Sequence, residues 1–195
     1  MIRPMTQSQR SLASIASTVS AQTDLTASEL EKIAVTGISS SSSDVESGDL
    51  FCAFAGAKVH GATFAADAIK SGAVAILTDA EGAKLIKTGP VLVVKDPRKS
   101  AAILSSWFYG EPMRDLFSIG ITGTNGKTTV STLCHQIFQG AGQETGLIGT
   151  VETRIGSEIL ASTRTTLRLL NFRRWLQQCV NGIVVIWLWK FQVMQ

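Results

Sequence analysis

Residues 120–129 read Gly-Ile-Thr-Gly-Thr-Asn-Gly-Lys-Thr-Thr, and this glycine-rich segment indicates how the second half of the chain folds. The apolar segment from Leu116 to Thr122 predicts a strand, and Lys127 to Gly140 is predicted to be a helix. A glycine-rich turn between a strand and a helix is the context of a phosphate-binding loop. The sequence therefore predicts a nucleotide-binding α/β unit.

Each residue type in this loop has a physical role in holding phosphates. Gly123 and Gly126 let backbone N–H groups turn toward an anion, and the helix N-terminus adds positive potential. Lys127 brings a point charge to the β- and γ-phosphates, and the Thr128 hydroxyl is a candidate Mg²⁺ ligand. The strict G-x-x-x-x-G-K-[ST] pattern is broken because Ile121 stands at its first glycine position. The candidate nucleotide-binding residues, with Lys127 as the catalytic candidate, are Gly123, Thr124, Asn125, Gly126, Lys127, Thr128 and Thr129.

The first half of the chain alternates between strand-like and helix-like segments. Such alternation predicts a mostly parallel sheet in an α/β fold. The predicted strands are Lys32–Ile38, Asp49–Ala55, Ala73–Leu77 and Val91–Val94. The predicted helices are Ala62–Ser71 and a segment from Pro97 to about Tyr109. Residues 1–24 are rich in Ser, Thr and Gln and are expected to form a loosely ordered lead-in.

The segment Gly-Glu-Pro-Met-Arg at 110–114 is the predicted domain boundary, because glycine and proline interrupt two periodic regions there. The first domain is expected over residues 25–112 and the second over 113–182. The second continues with a strand at Leu147–Val151 and with a loop and helix from Thr165 to about Gln178.

The composition describes a folded protein with no bias toward nucleic acid. Of 195 residues, 45% are hydrophobic and 17% are charged, which favours a packed core over disorder. The net charge of +3 is small and the basic residues are scattered, so no nucleic-acid partner is expected. No apolar run approaches the roughly 18 residues of a spanning helix, and no N-terminal signal segment is recognised. The three cysteines share no metal-ligand spacing, which favours reduced thiols and the cytoplasm.

Several polar residues outside the loop allow either a structural or a functional interpretation. The serine run Ser39–Ser43 is either a solvated loop or a set of hydroxyl groups that line a ligand site. His60 precedes Gly61 and is expected to be a turn residue rather than a catalyst. His135 is expected on the surface of the predicted helix.

Together these residues resemble the Mur ligase family, which builds the peptide of bacterial peptidoglycan. The Gly-Thr-Asn-Gly-Lys-Thr-Thr segment at 123–129 resembles the family's ATP loop, a variant that accounts for Ile121. Residues 43–51 and 60–75 resemble the block that binds the UDP part of the substrate in the MurE branch, the UDP-N-acetylmuramyl-tripeptide synthetases. Gly149-Thr150 and Thr165-Thr166 resemble segments of the central domain.

The resemblance implies a UDP-binding N-terminal domain followed by a truncated, P-loop Mur ligase central domain. It implies an ATP-dependent ligase that adds meso-diaminopimelate or L-lysine to UDP-MurNAc-L-Ala-D-Glu in the cytoplasm, as a monomer with no membrane partner. Ser41 and Ser43 would contact the UDP group, and Thr165 and Thr166 the muramyl peptide. Mg²⁺ on Thr128 would bridge the ATP phosphates.

The C-terminal residues depart from the family. The expected Thr-Thr-Pro-Asp is Thr165-Thr166-Leu167-Arg168, and residues 186–195 replace a Met-Glu-Val-Ser-Ser-His segment whose Glu holds Mg²⁺. One back-translation of Val185–Gln195, read from the third base of the first codon, encodes His-Leu-Val-Met-Glu-Val-Ser-Ser-His-Ala. We therefore expect a shift of reading frame between Val180 and Val185, with an out-of-frame tail at 183–195. The apolar run Ile183–Trp189 is then expected to be exposed.

Several functions remain open at this point. The chain is either the N-terminal part of a MurE-type ligase, inactive alone, or a non-catalytic remnant that binds UDP-sugar or nucleotide. A relative of folylpolyglutamate synthase shares the ATP loop but not the Gly48–Phe51 block. An unrelated P-loop switch would need a recognisable Asp at the end of a later strand.

Overall fold

The computed structural model describes residues 9–111, 114, 116–149, 152–155, 158–161 and 184–188. The chain divides into two compact units, Met1–Gly110 and Glu111–Gln195. Both are built from strands and helices, as the α/β prediction requires. Within the described residues, no helix has the length and apolar character needed to cross a membrane.

The first unit is organised around a parallel sheet. The strands of this unit are β1 (Arg10–Ser11), β2 (Ala34–Val35), β3 (Gly37–Ser39), β4 (Asp49–Cys52), β5 (Ala75–Thr78) and β6 (Val91–Val93). The parallel sheet has the strand order β3-β4-β5-β6, and because sequential strands are neighbours, each crossover steps in the same direction across the sheet. The helices are α1 (Leu12–Thr18), α2 (Ala27–Lys32), α3 (Ala65–Lys70), α4 (Ala80–Leu85) and α5 (Pro97–Phe108), with 3₁₀ turns at Ser42–Asp44 and Gly61–Phe64.

Small side chains fill much of the core of this unit. All of β4 and β5 is buried, as expected of inner strands in a parallel sheet. Alanines bring helix α3 and the segments around it close to the sheet. One cluster contains Val45, Phe51, Ala53, Ala62, Ala65, Ala68, Ala73 and Ile76.

The N-terminal segment is more ordered than the sequence predicts. Strand β1 pairs antiparallel with β2, and α1 follows it directly. The Ser11 side chain caps α1 by accepting a hydrogen bond from the Ser14 amide at 3.3 Å. Leu12 and Ile15, three residues apart, are fully buried. The expectation of a loosely ordered lead-in is therefore wrong for residues 10–18, because two large apolar side chains on one helical face anchor this segment.

A hydrogen-bonded pair ties the loop after β4 to the helix after β5. His60 Nδ1 accepts from the Ala62 amide at 3.0 Å, so Nε2 carries the ring hydrogen and faces the Asp79 carboxylate at 3.2 Å. Asp79 also caps α4 by accepting from the Gly82 amide at 2.7 Å. Burial opposes ionisation of Asp79, but the Gly82 and His60 contacts outweigh it and place its pKa below the usual value. The prediction of a turn role for His60 agrees with these contacts.

The second unit contains a five-stranded sheet and one described helix. Its described elements are β7 (Phe117–Ile121), α6 (Lys127–Gly140), β8 (Thr145–Ile148), β9 (Glu152–Ile155), β10 (Glu158–Ala161) and β11 (Val184–Leu188). The strand order in the sheet is β10-β9-β8-β11-β7. Helix α6 has the bounds predicted from the sequence. Strands β7, β11 and β8 are parallel, whereas β9 and β10 are antiparallel to their neighbours.

Strand β11 corrects the expectation of an unpaired C-terminal tail for residues 184–188. Its backbone pairs with β7 on one side, with Leu188 opposite Ile121, and with β8 on the other. The residues expected to form an unpaired tail therefore supply an inner strand. The out-of-frame hypothesis stays a prediction that genomic DNA can test, and it is compatible with this pairing. Val184, Val185 and Ile186 are β-branched, and such residues suit a strand.

We predict that removing Asp79 destabilises the first unit. Asp79→Ala removes the α4 cap and the partner of His60, and we expect a loss of about 1–2 kcal/mol in unfolding free energy near neutral pH. Since the pKa of Asp79 is depressed by folding, this contribution is present above the ordinary aspartate pKa of 3.8 and disappears as the pH falls through the lower folded value. Thermal unfolding at several pH values measures it, with exposed Asp24→Ala as the control. Equal stability of the two variants at neutral pH would contradict the assignment.

We also predict that β11 is required for the second unit. Deleting residues 181–195 removes the strand that joins β7 to β8, so solubility and thermal stability should fall. Deleting only residues 189–195 leaves β11 intact and is the matched control. Improved solubility of the longer deletion would show that β11 is dispensable.

Candidate functional site

The loop from Thr122 to Gly126 connects β7 to α6 and is exposed. Gly126 precedes the helix with φ of 77°, a left-handed conformation that glycine adopts without steric cost. No side chain caps this helix end. The first amides of α6 are thus left without a side-chain cap at the end where the helix dipole favours an anion. The backbone at this helix end therefore has free room and favourable polarity for an anion, as the predicted phosphate loop requires.

Lys127 folds back over the same loop. Its Nζ donates hydrogen bonds to the carbonyl oxygens of Gly123 and Thr124, the latter at 3.0 Å. The ammonium group therefore lies against the loop that an anion would enter. Binding of a phosphate would exchange these neutral acceptors for charged ones, which form stronger hydrogen bonds.

Helix α6 is fixed to the sheet by an unexpected polar contact. His135 is 2% exposed, and its Nδ1 lies 2.6 Å from Thr145 Oγ1 on β8, where it forms a hydrogen bond. The prediction that His135 lies on the helix surface is wrong. Ser131 and His135 share the buried face at a spacing of four residues, whereas Val130, Leu133 and Ile137 are exposed. Sequence reasoning missed this contact because its partner lies on a different element.

The serine-rich segment lies at the carboxyl end of β3. Ser39 Oγ donates to the Ser41 carbonyl at 3.0 Å, which shapes the turn that follows the strand. The Ser41 and Ser43 hydroxyl groups lie 2.8 Å apart, with Ser43 exposed. Ligands of parallel α/β sheets bind beyond the carboxyl ends of the strands. This geometry suits the hypothesis that the serine run supplies hydroxyl groups to a ligand.

The described residues include most of the predicted site. The loop residues 123–129 form one continuous surface in the second unit, and Ser41 and Ser43 form another in the first. Thr165 and Thr166, the predicted muramyl-peptide residues, lie outside the described residues. Arg98 is a residue that sequence reasoning missed. Its guanidinium donates to the Ala55 carbonyl at 2.9 Å and lies 5.0 Å from the centre of the Phe54 ring, which braces the loop after β4.

The oxygen ligands available near Thr128 do not suit Mg²⁺. In P-loop proteins this ion is held by the Ser or Thr of the loop together with a carboxylate at the end of a neighbouring strand. Thr128 is exposed at the start of α6 and offers one hydroxyl group. In the described part of the chain, no group of three or more His, Cys, Asp or Glu residues is arranged to hold a metal ion.

Comparisons with known proteins place a Mur ligase match in each unit. The family model described as "Mur ligase family, catalytic domain" matches residues 34–108. The family model described as "Mur ligase middle domain" matches residues 121–187. This range includes the loop at Thr122–Gly126 and most of β11.

Curated relatives carry the name UDP-N-acetylmuramoyl-L-alanyl-D-glutamate–2,6-diaminopimelate ligase. The Streptomyces avermitilis protein is 52% identical over 134 residues, which are 68% of this chain and 26% of the relative. The Listeria monocytogenes protein is 43% identical over 136 residues, 70% of this chain and 27% of the relative. The chain thus spans about a quarter of the length of these relatives.

Solved structures show the same likeness. A ligase of the same name superimposes with a TM-score of 0.68 at 25% identity, covering 93% of this chain and 36% of that chain. The MurF ligase of Thermotoga maritima, solved in complex with ADP, gives a TM-score of 0.52 at 19% identity, covering 79% of this chain and 32% of that chain. The second comparison supports the fold alone.

We predict that Lys127 dominates nucleotide affinity. Lys127→Ala removes the ammonium group of the loop, and charged hydrogen bonds of this kind contribute enough for a loss of about 10- to 100-fold. Calorimetric titration with ATP measures the loss. The control is Lys84→Ala, because Lys84 is an exposed lysine of the first unit that pairs with Glu81. Unchanged ATP affinity in Lys127→Ala would contradict the role of the loop.

Proposed function

Because the chain belongs to the Mur ligase family, we propose that it carries the substrate-binding and nucleotide-binding parts of a MurE-type ligase of peptidoglycan synthesis. The first unit would bind the UDP part of UDP-MurNAc-L-Ala-D-Glu, and the second would bind ATP. The observation that carries the proposal is the coexistence of two features in one chain. These are the cradle of Gly123–Lys127 and the exposed hydroxyl groups that follow β3.

The proposed reaction is an ATP-driven amide ligation in the cytoplasm. The γ-phosphoryl group would pass to the D-Glu carboxylate, and the amine of a diamino acid would then displace phosphate from the acyl phosphate. The names of the relatives favour 2,6-diaminopimelate over L-lysine as that amine.

The described residues support the nucleotide side of this chemistry. Lys127 and the first amides of α6 would hold the β- and γ-phosphates and neutralise charge on the oxygens of the transferring group. The hydrogen bond between His135 and Thr145 fixes the helix that presents these groups against β8. Together they position the phosphates; a Mg²⁺ ion would supply further charge neutralisation, but its ligands in this chain are incomplete.

A non-catalytic binding module is the second candidate, and one observation favours it. Glu158 is the last acidic residue in the sequence, so residues 159–195 offer no side-chain carboxylate for a metal ion or a proton transfer. We therefore expect the 195 residues to bind substrates without ligating them. An assay of phosphate release with ATP, UDP-MurNAc-L-Ala-D-Glu and diaminopimelate tests this expectation, since turnover would contradict it and favour a catalytic ligase.

We predict that the serine hydroxyl groups contribute to binding of the UDP substrate. Replacing both Ser41 and Ser43 by alanine removes two hydrogen-bonding groups, and affinity for UDP-MurNAc-L-Ala-D-Glu should fall by about tenfold. Titration calorimetry measures the affinity, and Ser71→Ala, an exposed serine after α3, is the matched control. Equal affinities for the double variant and the control would argue against substrate binding at this surface.

A further inference from the structure

The distribution of carboxylates in the second unit determines how nucleotide phosphates are neutralised. Mg²⁺ bound with a nucleotide in a P-loop needs a carboxylate near the loop, in addition to a hydroxyl group. In the parallel part of this sheet, the loop follows the carboxyl end of β7. A useful carboxylate must therefore lie at the same edge, on β7 itself or on the neighbouring strand β11.

Glu111 and Asp115 precede β7 in the sequence, before the strand whose far end carries the loop, and the acidic residues around β8 lie at the other edge of the sheet. Glu144 directly precedes β8, at the amino end of the parallel strands. A strand of this length separates the two edges by about 13 Å. Glu158 pairs with Ile155, which itself pairs with Gly146 near the start of β8, so Glu158 lies at that same far edge.

Glu152 is at the correct edge but on a distant strand. It starts β9, next to the end of β8, where Thr153 pairs with Ile148. Strands β8 and β11 separate β9 from β7. Three strand spacings correspond to about 14 Å, several times the length of a metal–ligand bond.

The end of β11 is the remaining position beside the loop. Leu188 is the last residue of this strand and pairs with Ile121, immediately before the phosphate loop. The following residues in the sequence are Trp189 and Lys190, and no Asp or Glu occurs after Glu158. In residues 159–195 the charged side chains are exclusively basic, namely Arg164, Arg168, Arg173, Arg174 and Lys190.

We propose, on the basis of the nucleotide-binding role given above, that this chain binds nucleotide phosphates without help from Mg²⁺. The backbone cradle and Lys127 interact with the full negative charge of free ATP or ADP. A bound Mg²⁺ ion cancels two of those charges and gains only the Thr128 hydroxyl group as a protein ligand. Metal-free nucleotide therefore binds at least as tightly as the Mg²⁺ complex.

Titration calorimetry of the full 195-residue chain tests this with ATP and ADP, in EDTA and in excess MgCl₂. We expect the dissociation constant in MgCl₂ to be equal to or higher than that in EDTA. Tightening by about threefold or more in MgCl₂ overturns the inference and leaves nucleotide binding intact. Absence of binding in both conditions overturns the nucleotide-binding function and this inference together.

A gain of ligand at the end of β11 provides an independent test. Leu188→Asp adds a carboxylate there, and Leu188→Asn is the matched variant of nearly equal size without the charge. We expect MgCl₂ to tighten ATP binding by about tenfold in the Asp variant and not in the Asn variant. Equal responses of the two variants, with folding verified by circular dichroism, overturn the assignment of this position as the missing metal ligand.

Discussion

The backbone pairing of β11 is the constraint on which the second unit depends. Strands β7 and β8 do not pair with each other, and β11 joins them through hydrogen bonds on both sides. Helix α6 connects the same two strands. The end of β7, where the phosphate loop begins, is therefore held by a strand that the chain supplies much later. Such long-range pairing costs loop-closure entropy, which the backbone bonds and apolar burial of the sheet must offset.

The candidate phosphate loop combines a defined backbone turn with a lysine side chain that lies across it. Gly126 sets the turn into α6, and the hydrogen bond between His135 and Thr145 fixes the helix against β8. Lys127 is the part that must move, since its ammonium group is hydrogen-bonded to the loop carbonyls. If the loop binds phosphate as proposed, most of the site is formed before the ligand arrives, and the lysine would exchange one set of oxygen acceptors for another.

Local signals in the sequence predict the loop and α6 well, because the glycines and the apolar strand before them act over a few residues. The positions of His135 and β11 could not be predicted in this way. Burial of an imidazole depends on a partner from another strand, here Thr145, and apolar periodicity favours the opposite face of α6. Strand β11 has a sequence unlike that expected from the family resemblance. A strand nevertheless forms there, since pairing uses the backbone and tolerates many apolar side chains.

The first unit arranges the edge that carries its candidate binding residues in a different way. Its parallel strands follow one another in order, so the loops after β3, β4 and β5 emerge side by side at one edge. The hydrogen bond between His60 and Asp79 ties the second of these loops to the third, and Arg98 braces the second from α5. The serine turn after β3 thus adjoins a loop that is held in place from two directions. A polar ligand at this edge would meet prearranged hydroxyl groups, and binding would require little additional ordering of the backbone.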